Sequence, residues 1–238
     1  MGGAPLCSIS RGMGDNEEAQ KIQSNSFTLL IIFGIILTLI GFIFKKPILY
    51  LFGASDMTFP YANDYLSIYL LGTLFVMISL GMNPFINSQG FSKIGMITVS
   101  VGAAINIILD PIFIYGLGLG VKGAAIATVI SQGCSAIWVL KFLTGKKAIL
   151  KLKYYALELK RVTRILSLGL SGFAMSMTNS LTQVVCNATL EAYSGDLYVG
   201  VMTIINSIRE VISMPITGIT SGSQPVLSYN YGAGENER

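Results

Sequence analysis

The sequence predicts an all-α fold, a polytopic membrane helical bundle, and three observations carry that reading. Of the 238 residues, 52% are hydrophobic and only 12% charged, against about a quarter charged in a soluble domain, and mean hydropathy is +0.65. The apolar residues fall into runs of roughly 20, the length that crosses the hydrocarbon core as a helix. The two ends of the chain also carry copies of one segment, separated by an even number of such runs. About six spans fit this length, leaving no room for a separate catalytic domain.

Residues 1–26 have no apolar stretch behind a basic start, so they are not a signal peptide and read as an interior loop. Phe27 to Phe44 forms the first run, stopped by Lys45, Lys46 and Pro47. Tyr65 to Phe85 is the second and contains Gly72, Gly81, Asn83 and Pro84; Ile94 to Tyr115 is the third. The fourth, Val121 to Phe142, opens on Gly123, Ala124, Ala125 and Ala127, small residues that let helix backbones approach in lipid. Lys141 to Arg164 then holds eight Lys and Arg against one acid, Glu158. Its core, KLKYYALELKRVTR, suits a helix on the membrane surface drawn to anionic lipid, or a solvated linker.

The fifth run, Ile165 to Ala192, carries Asn179, Gln183 and Asn187 at four-residue spacing, one stripe that should face protein or a watery cavity. The sixth, Leu197 to Ser221, carries Asn206, Arg209 and Glu210 before Pro215. Arg209 and Glu210 point ~100° apart on a helix, so they meet different partners, or Arg209 snorkels to an interface. Numerous Met and aromatic residues lie within the runs, Phe75, Met77, Met82, Met175, Met177, Met202 and Met214 among them; most are packing residues, although Met also suits promiscuous apolar surfaces.

The net charge of +4 is a topology signal. With residues 1–26 cytoplasmic, that side carries Arg11, Lys21, Lys93, the eight basic linker residues and Arg238. The other side has Lys45, Lys46 and Lys122. The positive-inside rule fixes the orientation accordingly. Cys7, Cys134 and Cys186 show no metal or disulfide spacing, and the chain has no histidine, which removes a Ser-His triad and any histidine proton relay. Proton chemistry here must run through carboxylates.

Asp110 is the carboxylate that stands inside an apolar run. It shares a helix face with Asn106, four residues earlier, and Pro111 removes a backbone donor, an absence read here as freeing the carbonyl of Asn106. Thr128 can add a hydroxyl from the next helix, after the glycine-rich turn Gly116 to Gly123. Together they offer hard oxygen ligands for a proton or small cation, including Na⁺. The competing reading puts Asp110, ~24 Å along its helix at ~1.5 Å per residue, at the far interface, solvated and ending a helix before proline. The glycines lack the strand and lysine of a nucleotide loop, and no nucleophile-base pair appears, so no enzyme is expected.

At an offset of 220 residues, Gly2/Gly222, Pro5/Pro225, Ser8/Ser228, Gly12/Gly232, Gly14/Gly234, Asn16/Asn236 and Glu17/Glu237 are identical. Six runs separate the copies, so both lie on one membrane side, which implies two parallel six-helix lobes related by an axis along the membrane normal. The division expected is 1–142 for most of the first lobe, 143–164 for the basic linker and 165–238 for the start of the second. Matching helices are expected before residue 1 and after residue 238.

The run NxxxDPxFIYGxGxGVxGAAxAT at Asn106 to Thr128, with MPITGITSGSQPVLSYNYGAG at Met214 to Gly234 and its degenerate copy at the start, resembles the multidrug and toxic compound extrusion (MATE) family of cation-coupled antiporters. The likeness covers essentially the whole chain and is nearest the bacterial branch with NxxxD in the fifth of twelve helices. It implies that the chain runs from the loop after helix two to just after helix eight. It also implies a cation site at Asp110, Asn106 and Thr128, completed by an Asp of helix one outside this sequence. Another branch has a coupling Glu in helix seven, where this chain has Asn179. The resemblance further implies export of small amphipathic, often cationic molecules, no cofactor beyond H⁺ or Na⁺, lipid but no nucleic acid as a partner, and a monomer at full length. Substrate-cavity candidates are Asn179, Gln183, Asn187, Asn206, Arg209, Glu210 and Met175. The alternatives are a lipid-linked oligosaccharide flippase of the same superfamily, a non-transporting membrane scaffold, or an inactive truncated transporter.

Overall fold

Each predicted apolar run lies in one helix or one bent helix pair of the computed structural model, which describes residues 2–194 and 196–235. Asn236, Glu237 and Arg238, used above in the repeat and the charge asymmetry, lie outside the described residues. The helices are α1 Gly3–Gly12, α2 Asn16–Leu51, α3 Phe59–Leu71, α4 Thr73–Ser88, α5 Ser92–Pro111, α6 Gly120–Thr144, α7 Leu159–Ser194 and α8 Asp196–Ala233, with a π-helical turn at Ile112–Gly116. Among the described residues, α2, α5 with its π-turn, and α6 are long and apolar enough to cross a membrane. The pair α3 and α4, bent by 61°, makes a fourth when taken as one span. At 36 and 38 residues, α7 and α8 have the length of spans but carry the amides and charges named above and fall outside that apolar set.

The segment 2–26 is mostly helical and not a loop. Gly3–Gly12 is helical and buries Leu6, Cys7 and Ser8, and α2 begins at Asn16 under an N-cap in which Asp15 accepts from the Glu18 amide at 2.8 Å. What reads as a polar loop is a helix whose small residues face protein.

The repeat is reproduced at the level of the backbone. Gly14 and Gly234 both take the left-handed conformation, at φ +82° and +76°, which glycine adopts without strain. Each ends its helix with the same pair of bonds: Gly14 to Arg11 and Asp15 to Ser10 at 3.0 Å, Gly234 to Tyr231 at 3.2 Å and Glu235 to Asn230 at 3.0 Å. Two residues before each of these glycines the copies cross each other. A side chain at Gly12 would meet the carbonyl of Tyr229, and one at Gly232 would meet the carbonyl of Ile9; those two contacts are images of one another under the 220-residue offset. Arg11 adds a hydrogen bond to the Ser88 carbonyl and lies 5.8 Å from the Tyr229 ring centroid.

A second close approach places α5 against α6. A Cβ at Gly123 would lie 2.6 Å from the Phe113 carbonyl oxygen in the π-turn, and one at Gly102 would meet the Ser135 hydroxyl. These two glycines bracket Asn106 and Thr128.

The basic linker is an extended strap and not a surface helix; within KLKYYALELKRVTR, helix starts only at Leu159. Its side chains alternate: Ala148 and Leu150 are buried and Leu152 packs on the core, while Lys147, Ile149, Lys151 and Lys153 face out. No strand pairs with it among the described residues; one backbone bond, from the Leu152 amide to the Leu143 carbonyl at 2.8 Å, ties it to α6, and side chains satisfy other groups of its backbone. The Leu150 amide donates to Gln89 at 2.9 Å, its carbonyl accepts from Gln23 at 3.2 Å, and the Lys151 carbonyl accepts from Gln20 at 2.7 Å. At its end the Glu158 amide donates to Asn25 at 3.3 Å. Arg161 forks onto Glu18 at 3.0 and 2.8 Å and pairs with Glu158 at 2.9 Å. These groups lie outside the apolar run of α2. The core of Cys7, Ile22, Met82, Phe85, Ile86, Leu143 and Leu150 sits beneath the strap.

Two outcomes follow from this packing. Gly123→Ala must push a backbone carbonyl aside and is expected to destabilise by about 1–3 kcal/mol, whereas Gly102→Ala displaces the Ser135 hydroxyl from its bond to the Thr98 carbonyl and should cost about 1 kcal/mol; thermal unfolding in detergent checks the order. The hydrogen bonds from Arg161 hold the Glu18 carboxyl below its ordinary range, against the opposing effect of burial. Its contribution is therefore complete above about pH 4.3 and is lost as pH falls through the depressed folded value. Arg161→Ala should cost about 2 kcal/mol and speed hydrogen exchange at Leu150; acidification should do the same to the unsubstituted chain and add little to the variant.

Candidate functional site

Asp110 occupies the last turn of α5, half-buried, with the Asn106 amide nitrogen donating to its Oδ1 at 3.3 Å. The helix does not end before Pro111. It runs through the proline and widens, so that the Leu117 amide reaches back five residues to Ile112 at 2.9 Å. The proton missing at Pro111 belongs to the carbonyl four residues back, which is Ile107; the assignment of the freed carbonyl to Asn106 is corrected by one residue. The widened turn ends at Gly118 and Gly120, both at positive φ, and the chain re-enters as α6 with Gly123 against Phe113.

That geometry sets Thr128 across from α5. Its hydroxyl donates to the Ala124 carbonyl at 2.9 Å, leaving an oxygen lone pair free to accept. Asn106 and Thr128 line one cavity of about 190 Å³ between α4, α5 and α6, whose polar walls are Ser79, Thr98, Ser131, Gln132 and Ser135. Ser79 donates to Gln132 at 2.6 Å and Ser135 to the Thr98 carbonyl at 3.2 Å. Asp110 adjoins this cavity through its hydrogen bond to Asn106. A single carboxylate beside neutral amide and hydroxyl oxygens suits a proton or a hard monovalent cation. Among the described residues no group of three His, Cys, Asp or Glu gathers as a transition-metal site would.

The hydroxyl lining extends the set read from the sequence. Thr128, Ser131, Gln132 and Ser135 fall at i, i+3, i+4 and i+7, one stripe of α6. That periodicity is present in the sequence, hidden among apolar neighbours.

The structure does not bring the remaining candidates to this site. Asn179 and Gln183 are exposed on α7, Asn187 is half-buried and packs beside Gly53, and Met175 is 72% exposed. On α8, Asn206 is half-buried while Arg209 and Glu210 are exposed, and none of the ion pairs among the described residues involves either charge. These helices pack on each other and on α1, α2 and α4.

Comparison with known proteins identifies the family. The family profile described as MatE matches residues 1–112 and 171–238. The multidrug export protein MepA of Staphylococcus haemolyticus (strain JCSC1435) is 29% identical over 233 residues, 97% of this chain and 51% of the relative. A ligand complex of the MATE multidrug transporter DinF-BH superposes with a TM-score of 0.91 at 34% identity, covering 98% of this chain and 52% of that one. An outward-facing multidrug resistance MATE family transporter of the MOP superfamily gives 0.89 at 25% identity, with 99% and 53% covered. The chain thus spans about half the length of the proteins it matches. On the profile match and on a helical superposition over nearly all of its residues, the chain belongs to the MatE family of membrane transporters.

Proposed function

We propose that this chain serves a cation-coupled antiporter that exports amphipathic, often cationic small molecules across the cell membrane by alternating access. The observation that carries the proposal is Asp110, hydrogen-bonded to Asn106 on a spanning helix and adjoining the polar cavity that Thr128 lines. A proton or Na⁺ reaching Asp110 removes the negative charge that the Asn106 amide now stabilises. The balance between helix arrangements then shifts by the difference in affinity of the two arrangements for that cation. Relatives that are multidrug export proteins, and a structural neighbour that is a multidrug transporter in complex with a ligand, support small-molecule extrusion as the coupled process. Family membership points to transport and away from catalysis.

On this reading residues 1–142 form most of one lobe, 143–164 the linker and 165–238 the start of the second. The linker is cytoplasmic under the positive-inside rule. Asn179, Gln183, Asn187, Asn206, Arg209, Glu210 and Met175 line the substrate path from the second lobe, which accounts for amides and charges exposed on helices of span length. The working unit is a monomer with no cofactor beyond the coupling ion. A flippase for lipid-linked oligosaccharides calls for several basic side chains around a pyrophosphate, and Arg209 is the one basic residue among the substrate-path candidates.

The test is dye efflux from everted vesicles expressing the chain, alone or as part of a full-length transporter, under a Na⁺ gradient or a pH gradient imposed separately. Efflux driven by one gradient names the ion. Asp110→Asn is expected to abolish that efflux while leaving membrane insertion intact, and undiminished efflux in the variant would sink the proposal. Movement only in the full-length context would show that this half needs the other helices.

A further inference from the structure

The outward face of the strap is not used by the transport reading. Lys146, Lys147, Lys151 and Lys153 are exposed there, with Lys160 and Arg164 exposed in the first turns of α7, and none takes part in an ion pair found among the described residues. The nearby acids are already engaged: Glu17 with Lys21 at 2.6 Å, Glu18 and Glu158 with Arg161. The strap is therefore a run of uncompensated positive charge, held in a fixed course by Gln20, Gln23 and Gln89. Apolar side chains stand exposed between the cations: Ile149 at 52%, Tyr154 at 90%, Leu157 at 45% and Leu159 at 78%. The strap joins α6, a helix long and apolar enough to cross a membrane, to the 36-residue α7, and on the topology proposed above it lies at the membrane-water boundary.

We propose that the outward face of the strap is a docking surface for anionic phospholipid headgroups, with Lys147, Lys151 and Lys153 meeting the phosphates while Ile149, Tyr154 and Leu157 enter the headgroup layer. Alternation in an extended chain puts Lys147, Ile149, Lys151 and Lys153 on one side; Tyr154 has the opposite register but, 90% exposed, is open to the same surroundings. Lysines with apolar neighbours match an interface where one part of each side chain is wet and the other is not. Charge alone would equally suit an acidic soluble partner; the interleaved exposed aliphatic and aromatic groups select lipid. Because Leu150 and Lys151 are bonded inward to α2, bound lipid also fixes the segment that ends at Arg161. The inference uses the cytoplasmic placement proposed above but not the transport activity, so its test reads lipid retention and not efflux.

The experiment is native mass spectrometry of the chain in nonionic micelles, titrated with short-chain phosphatidylglycerol, short-chain phosphatidylcholine or inorganic phosphate. Preferential retention of phosphatidylglycerol, declining with added salt, is expected. Lys147→Gln, Lys151→Gln and Lys153→Gln together should reduce it, by up to roughly a hundredfold at about fivefold per lysine. The same three positions changed to Arg should keep it. Thermal unfolding should be unchanged in both, since these side chains hold nothing. Ile149→Ser with Tyr154→Ser should weaken retention of either lipid. Equal retention of the two lipids, a preference that survives the Gln variant, displacement by equimolar phosphate, or indifference to the Ser variant would each overturn the proposal; the last would point to an acidic soluble partner.

Discussion

Backbone approaching backbone at glycine is the constraint on which this arrangement depends. In hydrocarbon the apolar side chains gain nothing by leaving their solvent, so helix pairs hold through close van der Waals packing and small residues at the crossing. Gly12 and Gly232 let α1 and the end of α8 interlock at each other's carbonyls. Gly2 allows the same against Ile165 and Gly169 of α7, and Gly123 allows it against Phe113. Each of these contacts is to main-chain atoms, which cannot rotate out of the way as a side chain can. The first two are related by the internal repeat, so one local solution serves both copies.

The strap solves a different problem with different chemistry. An extended segment without a sheet leaves its amides and carbonyls needing partners, and here glutamine side chains supply them from α2 and the end of α4. Gln89 accepts from Leu150 and donates to Gln23, which in turn donates to Leu150, closing a small ring of bonds at 2.9, 3.2 and 3.2 Å. The buried core lies under this ring, while much of the surface of α7 and α8 is open. The buried core is concentrated at the end of the bundle where the strap lies.

Much of the fold was legible because apolar run length is an additive property of sequence. The runs, the repeat, and the grouping of Asn106 and Asp110 needed only spacing. What escaped was set by contacts distant in sequence. Residues 3–12 look polar until Cys7 and Leu6 are seen to pack under α2 and α4, and the basic linker looks helical until Gln20, Gln23 and Gln89 claim its backbone. Arg161 and Glu18 are 143 residues apart, and no local pattern pairs them. The hydroxyl stripe of α6 was readable in principle, but serines and threonines inside spans commonly bond their own helix, as Thr128 does, so the stripe announces a cavity only once α4 and α5 stand against it.

The π-turn after Pro111 connects the candidate ion site to the packing that orders it. Proline removes one α-helical bond and the next five residues widen, so this turn lacks the regular ladder that makes α5 stiff. Asp110 lies two residues before it, and within it the Phe113 carbonyl stands against Gly123, one of the close contacts between this segment and α6. Asp110 therefore sits beside the widened turn that follows its helix and near a backbone contact of the neighbouring one. On the antiport reading, that adjacency is how a proton or cation at one carboxylate moves an element carrying Thr128, without any long chain of intermediates: the site and the joint that repositions it are one turn apart.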